Sequence, residues 1–514
     1  MRSYDSTIEK LFAGEHKVFW LILVALIGAV TVGLAAAQDP LLAEGAVFAA
    51  LVLLCLVKWP DIATILVIFF IYTNMGPVAI RYYAIPSFVA TAFPLILIIP
   101  LVWHIFWRRE KLVITTVLQL ILALGVIYTV GAAFSSDIIL SLPQLTEFVV
   151  EGLLLYFLIT NVIRTPLMLK RVVWVLLISG AFIGGLSLYQ QVTKTYDNNY
   201  GGFAQVEGDF GTGVENLQGE VQQPRLAGSI GEKNRYGQIM LMLVPLGLFQ
   251  LWIYRSIWVR ILALIMTSLI IVGGALSFSR GAAVGFVLLI LIMVFLRYIK
   301  FRQFVLLVVG VALILWAFPQ YGLRLTSLNV IGSLATPESG PALAGADNAV
   351  VDRASLMIAG WMVFKDHPVF GVGPGMVKYY TEAYVRQIGI SSVSGTFQAH
   401  NLYLGIAAEA GLLGLISFLL ILFIPLRDLA HARKKWMVSR PDLTYLATAF
   451  FQAIVGYMVT GLFLHLSYYR FFYLILALAV VASRLGESST LVESEVDRTS
   501  EAKLSLIDSN ELLQ

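Results

Sequence analysis

Cysteine is almost absent from this sequence. Cys55 is the single one among 514 residues, and it lies inside an apolar run. One thiol closes no internal disulfide, and no Cys/His spacing of the metal-binding kind occurs. Charge is scarce as well. Asp, Glu, Lys and Arg make up 13% of the chain, about half the share in a soluble domain. The net charge is only +4, and the basic residues fall between apolar runs. That distribution speaks for membrane topology rather than nucleic-acid binding. No short-period repeat occurs, which removes the repeat architectures.

What is present in quantity is apolar. Hydrophobic residues form 59% of the chain and the mean hydropathy is +0.84. Runs of about 20 apolar residues recur from end to end, the length that crosses a bilayer as a helix. The expectation is an all-α, polytopic transmembrane bundle of about fourteen spans. They are placed at 18–38, 41–57, 60–80, 86–106, 112–133, 144–163, 172–191, 236–254, 261–278, 282–296, 303–319, 401–426, 443–464 and 471–485. The first run follows Lys10 and Lys17 and ends in Ala35-Ala36-Ala37, like a signal peptide. It exceeds the ~7–15 residues of a signal core, so it is read as an uncleaved span.

The connections alternate in charge. One set carries Lys58, Arg108, Arg109, Lys111, Arg164, Lys170, Arg171, Arg255, Arg260, Arg297, Lys300 and Arg302, then Arg427, Arg433, Lys434, Lys435 and Arg440. The other short connections carry little positive charge. The positive-inside rule puts the first set and both termini in the cytoplasm. Two long segments then lie outside, 192–235 and 320–400. The first is rich in Gly, Asn and Gln. The second contains two helix-like stretches, 352–366 and 376–388, joined by the tight turn His367-Pro368-Val369-Phe370-Gly371-Val372-Gly373-Pro374-Gly375. In the first stretch Leu356, Met357, Trp361 and Phe364 recur at helical spacing, as expected of a helix on the membrane face or against the bundle. Loops this long are usually functional. Residues 486–514 form a polar, mostly acidic tail, expected to be cytoplasmic and loosely structured.

Residues with chemistry collect on the outer side. His400 ends the second loop, directly before an apolar run. It reads either as an interfacial anchor or as a proton-exchanging group aimed by the helix behind it. Arg280 sits in Ser277-Phe278-Ser279-Arg280-Gly281, a sharp break between two spans. It reads as a snorkelling arginine or as an anion ligand, because the short turn keeps the guanidinium near the bundle. Arg225, in Pro224-Arg225-Leu226, closes the first loop, and Asn234 and Arg235 precede the next span. Arg353 opens the helix-like stretch of the second loop, beside Asp352. His367 precedes a proline and reads as structural, and His465 is a reserve candidate. Within spans, Glu147 and Glu151 are four apart on one helix face, where buried carboxylates suggest a polar interior or a transport path. Glu409 lies about 13 Å deeper than His400 along a helix, which suits hydrogen bonding or packing. Arginines recognise phosphate with paired donors and can neutralise a diphosphate leaving group. A neutral histidine can remove a proton from an attacking hydroxyl. No Asp-x-Asp motif occurs in either outer loop, so the arginines would stand in for a metal, and no cofactor is expected.

Three stretches together resemble the bacterial O-antigen ligase and polymerase superfamily of membrane glycosyltransferases. They are PRLAGSIGEKNRYGQIM at 224–240, SFSRGAAVGF at 277–286, and DRASLMIAGWMVFKDHPVFGVGPG at 352–375, which leads to HNLYLGIAAEAGLLG at 400–414. The resemblance covers 224–426, and its specificity lies in the ordered set. It implies an architecture like the GT-C class of helical glycosyltransferases over 1–485. It implies a glycan donor on undecaprenyl diphosphate, used at the periplasmic or external face of the bacterial inner membrane, without a metal. His400 matches the family's essential histidine, Arg225 and Arg280 match arginines thought to hold the diphosphate, and Arg353 matches an arginine of the large loop. Asn234 is expected beside them as a donor-site residue.

The shared motifs do not choose an acceptor. Lipid A core in lipopolysaccharide biosynthesis, a growing polysaccharide chain and a protein hydroxyl all remain open, so ligase, polymerase and protein O-oligosaccharyltransferase stand side by side. From a different class, a lipid-linked glycan flippase would concentrate charge and broken helices at mid-membrane in two related halves. Glu147 and Glu151 favour it. The one-sided clustering of polar residues disfavours it, and a non-catalytic scaffold leaves that clustering unexplained.

Overall fold

The computed structural model describes residues 58–87, 93–216, 219–300, 302, 304–305, 308–309, 348–388, 397–466 and 468–485. The expected spans 18–38 and 41–57, most of 303–319, and the tail 486–514 lie outside them. The chain divides into two compact units, Met1–Leu66 with Ile96–Lys111, and Val67–Leu95 with Leu112–Gln514. In the first, Trp103 and Trp107 stack at 5.0 Å and His104 Nδ1 meets the Glu110 carboxylate at 2.9 Å.

Helices dominate. They are α1 (Pro60–Tyr72), α2 (Met75–Tyr83), α3 (Phe93–Trp107), α4 (Thr116–Ala133), α5 (Ile138–Val162) and α6 (Pro166–Thr193). After the strands β1 (Gln205–Asn216) and β2 (Gly219–Gly228) come α7 (Lys233–Ile253), α8 (Ile257–Ala275) and α9 (Arg280–Phe295). Then follow α10 (Asn348–Asp366), α11 (Val377–Ile388), α12 (Leu402–Trp436), α13 (Pro441–Thr460) and a final helix, α14, over 469–485. Seven helices among the described residues are long and apolar enough to cross a membrane, or eight if the bent pair α1 and α2 is one span. This is a polytopic helical membrane architecture.

Most starts are written in the sequence. Thr115, Asp137, Thr165, Ser279 and Asn401 each accept a backbone N–H of the first turn that follows, and Pro166 occupies the first turn of α6. Glu232 caps α7 by accepting from the Asn234 and Arg235 amides. Breaks inside the bundle are satisfied by side chains, as a dry interior demands. Asn74, in left-handed backbone between α1 and α2, donates to the Ser229 carbonyl at 2.7 Å and accepts from Arg470 at 2.7 Å. The helix α7 is buried along most of its length, against α8, α9 and α13. Between α6 and α8 the backbones touch: a Cβ on Gly273 would lie 2.7 Å from Gly184 Cα, the close approach that small residues allow.

The structure corrects several expectations. The chain is not all-α. The first long loop folds into an antiparallel hairpin in which Gln205 pairs with Gly228 and Phe210 with Gln223. Expected span 60–80 is two helices meeting at 61°. The helix begun near 401 runs 35 residues to Trp436 and ends in Arg433, Lys434 and Lys435, cations suited to a helix C-terminus. Both helical stretches of the second loop form, but α10 buries Leu356, Ala359 and Val363 while Trp361 is 52% exposed. The carboxylate pair is not on a regular helix either, because α5 widens to a π-helix over Phe148–Leu154.

Candidate active site

One end of the larger unit holds a polar cavity of about 620 Å³. His400, Arg353, Asn234, His465, Glu147 and Tyr468 are among its lining residues. The local chain explains why His400 faces it. His400 has φ +47, a conformation uncommon for residues other than glycine. The backbone around it is pinned from both sides. Asn401 caps α12 by accepting from the Leu404 amide at 3.0 Å, and its Nδ2 donates to the Leu462 carbonyl at 3.2 Å. The Leu402 amide donates to the Gly461 carbonyl at 2.7 Å.

This stitching brings His465, on the turn after α13, across from His400. The two rings meet edge to face with centres 5.8 Å apart. Arg235, on the first turn of α7 and 2% exposed, donates to the His465 carbonyl and to Gln238 Oε1 at 3.1 Å. Burial, with the Arg353 and Arg235 guanidinium groups nearby, pushes the His400 imidazole down to about 4. Burial and the Arg235 charge also push His465 well below the usual histidine range. Both imidazoles are therefore neutral near pH 7, the state in which a ring nitrogen can accept a proton.

The arginines divide into two groups. Arg353 lines the polar cavity from α10. Arg225, on β2 and only 5% exposed, faces the protein: its Nε donates to the Ser277 carbonyl at 3.0 Å and its Nη2 to the Phe278 carbonyl at 3.2 Å. The same Nη2 donates to Asn234 Oδ1 at 3.3 Å. Arg225 thus braces the turn that delivers Arg280 to the start of α9. Phe278 in that turn has φ +50, and its ring packs against Phe210 of β1.

Arg280 lies at a second cavity, of about 420 Å³. Arg280 and Ser279 form its polar end, and side chains such as Leu241, Val244, Ile270, Phe286 and Ile290 form its apolar walls. The two cavities approach each other on α7. Asn234 lines the polar one and Gly237 the apolar one, and residues three apart share a helix face.

Of the residues expected at the site, the structure gathers His400, Arg353 and Asn234 around one cavity, sets Arg280 at the next, and uses Arg225 between them. Glu151 is engaged elsewhere, in an ion pair of 2.7 Å with Arg470. Glu147 lines the polar cavity. Among the described residues no group of three or more His, Cys, Asp or Glu is placed to hold a metal ion. Sequence reasoning underweighted His465 and Arg235. Their signal was position alone: each sits at the same end of a span as His400.

Residues 265–419 match the family model described as O-antigen ligase. The matched segment runs from within α8 into α12 and includes Arg280, Arg353 and His400, whereas Arg225, Asn234 and His465 lie outside it. No curated protein matches the chain.

Proposed function

We propose that this chain, which belongs to the O-antigen ligase and polymerase superfamily, transfers a glycan from undecaprenyl diphosphate to an acceptor hydroxyl, as ligase or polymerase of a surface polysaccharide. One observation carries the reading. A neutral His400 shares a cavity with Arg353, one turn of α7 away from an apolar cavity with Arg280 at its polar end. A lipid diphosphate has the matching halves, an apolar chain and an anionic head.

In this reading the acceptor oxygen attacks the anomeric carbon while His400 takes its proton. The bond from that carbon to the diphosphate breaks, and the diphosphate leaves with the electron pair. Arg280 and Arg353 face the developing charge with paired donors. Arg225 serves by holding the Ser277–Phe278 carbonyls, and so the start of α9, in place. Direct displacement inverts the anomeric configuration. The helix α10 of the second loop, which lines the polar cavity with Asp352, Arg353 and Leu356, borders the acceptor side. The alternation of basic connections supports a site on the external face of the inner membrane with both termini inside.

The test uses the full chain in nanodiscs with an undecaprenyl diphosphate-linked oligosaccharide, EDTA present, and products separated by size. Replacing His400 with Ala should lower turnover by about 10²–10⁴-fold. Arg280→Ala should lower it by about 10²-fold or more, as loss of a charge-stabilising donor does. Longer lipid-linked chains would identify a polymerase. Transfer only to added lipid A core or protein would identify a ligase or a protein glycosyltransferase. Full activity in both variants would sink the site.

A further inference from the structure

The polar cavity contains a second imidazole that the reaction above leaves unused. His465 faces His400 edge to face at 5.8 Å between ring centres. The Nδ1 atoms of both rings are buried, and neither has a hydrogen-bond partner among the described residues. Two buried, unpartnered ring nitrogens on facing imidazoles are unusual, because buried polar atoms normally find partners. Two imidazoles joined by one N–H···N bond have ring centres about 5 Å apart, somewhat closer than the 5.8 Å seen here.

We propose that His465 is the positioning residue of the site: its Nδ1 accepts the Nδ1–H of His400, which fixes the tautomer of His400, leaves Nε2 for the acceptor hydroxyl, and shares the proton that His400 takes up. The logic is that of any oriented base, in which a third group holds the imidazole in one tautomer. The usual third group is a carboxylate. Here the position is filled by a second neutral imidazole. The proton leaves the acceptor oxygen for His400 Nε2, and the resulting imidazolium keeps its Nδ1–H on His465.

The surroundings make that partner necessary. Arg235 from α7 and Arg353 from α10 both act against a charged His400. Arg235 also acts against a charged His465. Glu147 from α5, Glu232 from the start of α7 and Tyr468 line the same cavity. Glu232 is engaged with Arg235 at 3.4 Å. A buried imidazolium between two guanidinium groups persists only if an acceptor spreads its charge. The backbone at both histidines is already fixed for this. Arg235 holds the His465 carbonyl, and the turn 461–462 holds Asn401 and Leu402.

This inference rests on the assignment of His400 as base, and the experiment separates the two. Turnover is measured with the lipid-linked donor for wild type, His400→Ala, His465→Phe and His465→Asn, together with donor binding. Phe keeps a flat ring but accepts no hydrogen bond, whereas the Asn amide oxygen accepts one. The proposal expects His465→Phe to lose about 10–100-fold in kcat, the usual cost of removing a ligand-orienting partner, with KM for the donor unchanged. It expects His465→Asn to recover at least part of that loss, and the acid limb of the kcat–pH profile to move to lower pH in His465→Phe. A packing role predicts the reverse order, with Phe the better replacement. Wild-type kcat in His465→Phe, or an Asn variant no better than Phe while donor binding persists, would overturn the proposal. If His465→Phe fails to fold, Asn alone decides. Asn activity well above that of His400→Ala supports the proposal, and activity as low as His400→Ala with intact donor binding overturns it. A fully active His400→Ala would instead remove the base itself.

Discussion

At the scale of single residues, the site is governed by charge and burial acting on imidazoles. His400 is held down to about 4, mainly by burial and then by Arg353 and Arg235. A base works unprotonated, so activity should stay level from about pH 8 down to about pH 5.5 and fall only as the pH drops through the depressed value. A histidine at its ordinary value, near 6.5, would already be failing at pH 6. A kcat–pH profile in nanodiscs separates the two cases, and replacing Arg353 with Gln should move the acid limb toward neutrality. The same shift has a stability consequence with a fixed sign. The unfolded chain binds a proton near pH 6.5 that the folded chain refuses until about 4, so His400 lowers stability as the pH falls through that window. His400 was legible as a candidate because a polar loop ends there and an apolar helix begins, and Arg280 because it stands in a short polar break between two apolar spans. The role of Arg225 was not legible. Sequence shows a guanidinium near the site, but only the fold shows that it turns inward to the Ser277 and Phe278 carbonyls. His465 was legible as a position and not as a partner, because its nearness to His400 depends on the long-range Leu402–Gly461 contact.

At the scale of elements, the informative departures are the places where helices are not regular. The helix α12 breaks at Gly411, with φ +66 and ψ −166, a region that only glycine enters readily. The broken turn is completed by the turn that follows α10. The Leu412 amide donates to the Pro368 carbonyl at 2.8 Å, and the Val372 and Gly373 amides donate to the Ala408 and Glu409 carbonyls at 2.9 and 3.0 Å. A Cβ at Gly411 would overlap the Val369 carbonyl. Gly411→Ala should therefore lower stability by about 2–4 kcal/mol, read as a drop of several degrees in thermal unfolding in detergent. Gly414→Ala is a poor control, because a Cβ there would overlap Ala410. Gly185→Ala, whose Cβ would meet only Leu269 at 3.8 Å, should leave Tm nearly unchanged. The glycines of 367–375 announced a tight turn in the sequence, but a turn that plugs a helix break lies beyond local reasoning. The β-hairpin was missed for a related reason. Its strands are rich in Gly and Gln, which give little strand signal. They pair because Lys233 at the start of α7 holds Glu207, its amide donating to the carboxylate at 2.6 Å, and because Phe210 packs on Phe278.

At the scale of the whole molecule, hydropathy was enough to find most helices, because a helix in lipid must satisfy its own backbone and has to be long and apolar to do so. It was not enough to find bends, since Asn74 and Gly411 change direction without changing composition. Charge alternation predicts which end faces which compartment, and the prediction is open to a direct test. The sequence holds one cysteine, Cys55, so Cys55→Ser gives a background without thiols. Asp197 lies exposed in the turn after α6, on the hairpin side. Val438, 94% exposed, lies just past the basic end of α12. In spheroplasts, a membrane-impermeant maleimide should label Asp197→Cys, and it should reach Val438→Cys only after the membrane is permeabilised. The opposite pattern would turn the cavity of His400 toward the cytoplasm. A lipid-linked glycan could then meet it only before crossing the membrane, and transfer onto an external polysaccharide would lose its physical basis even if both histidines proved essential. Labelling of both sites without permeabilisation would refute the odd number of crossings that the expected spans 236–254, 261–278, 282–296, 303–319 and 401–426 put between them.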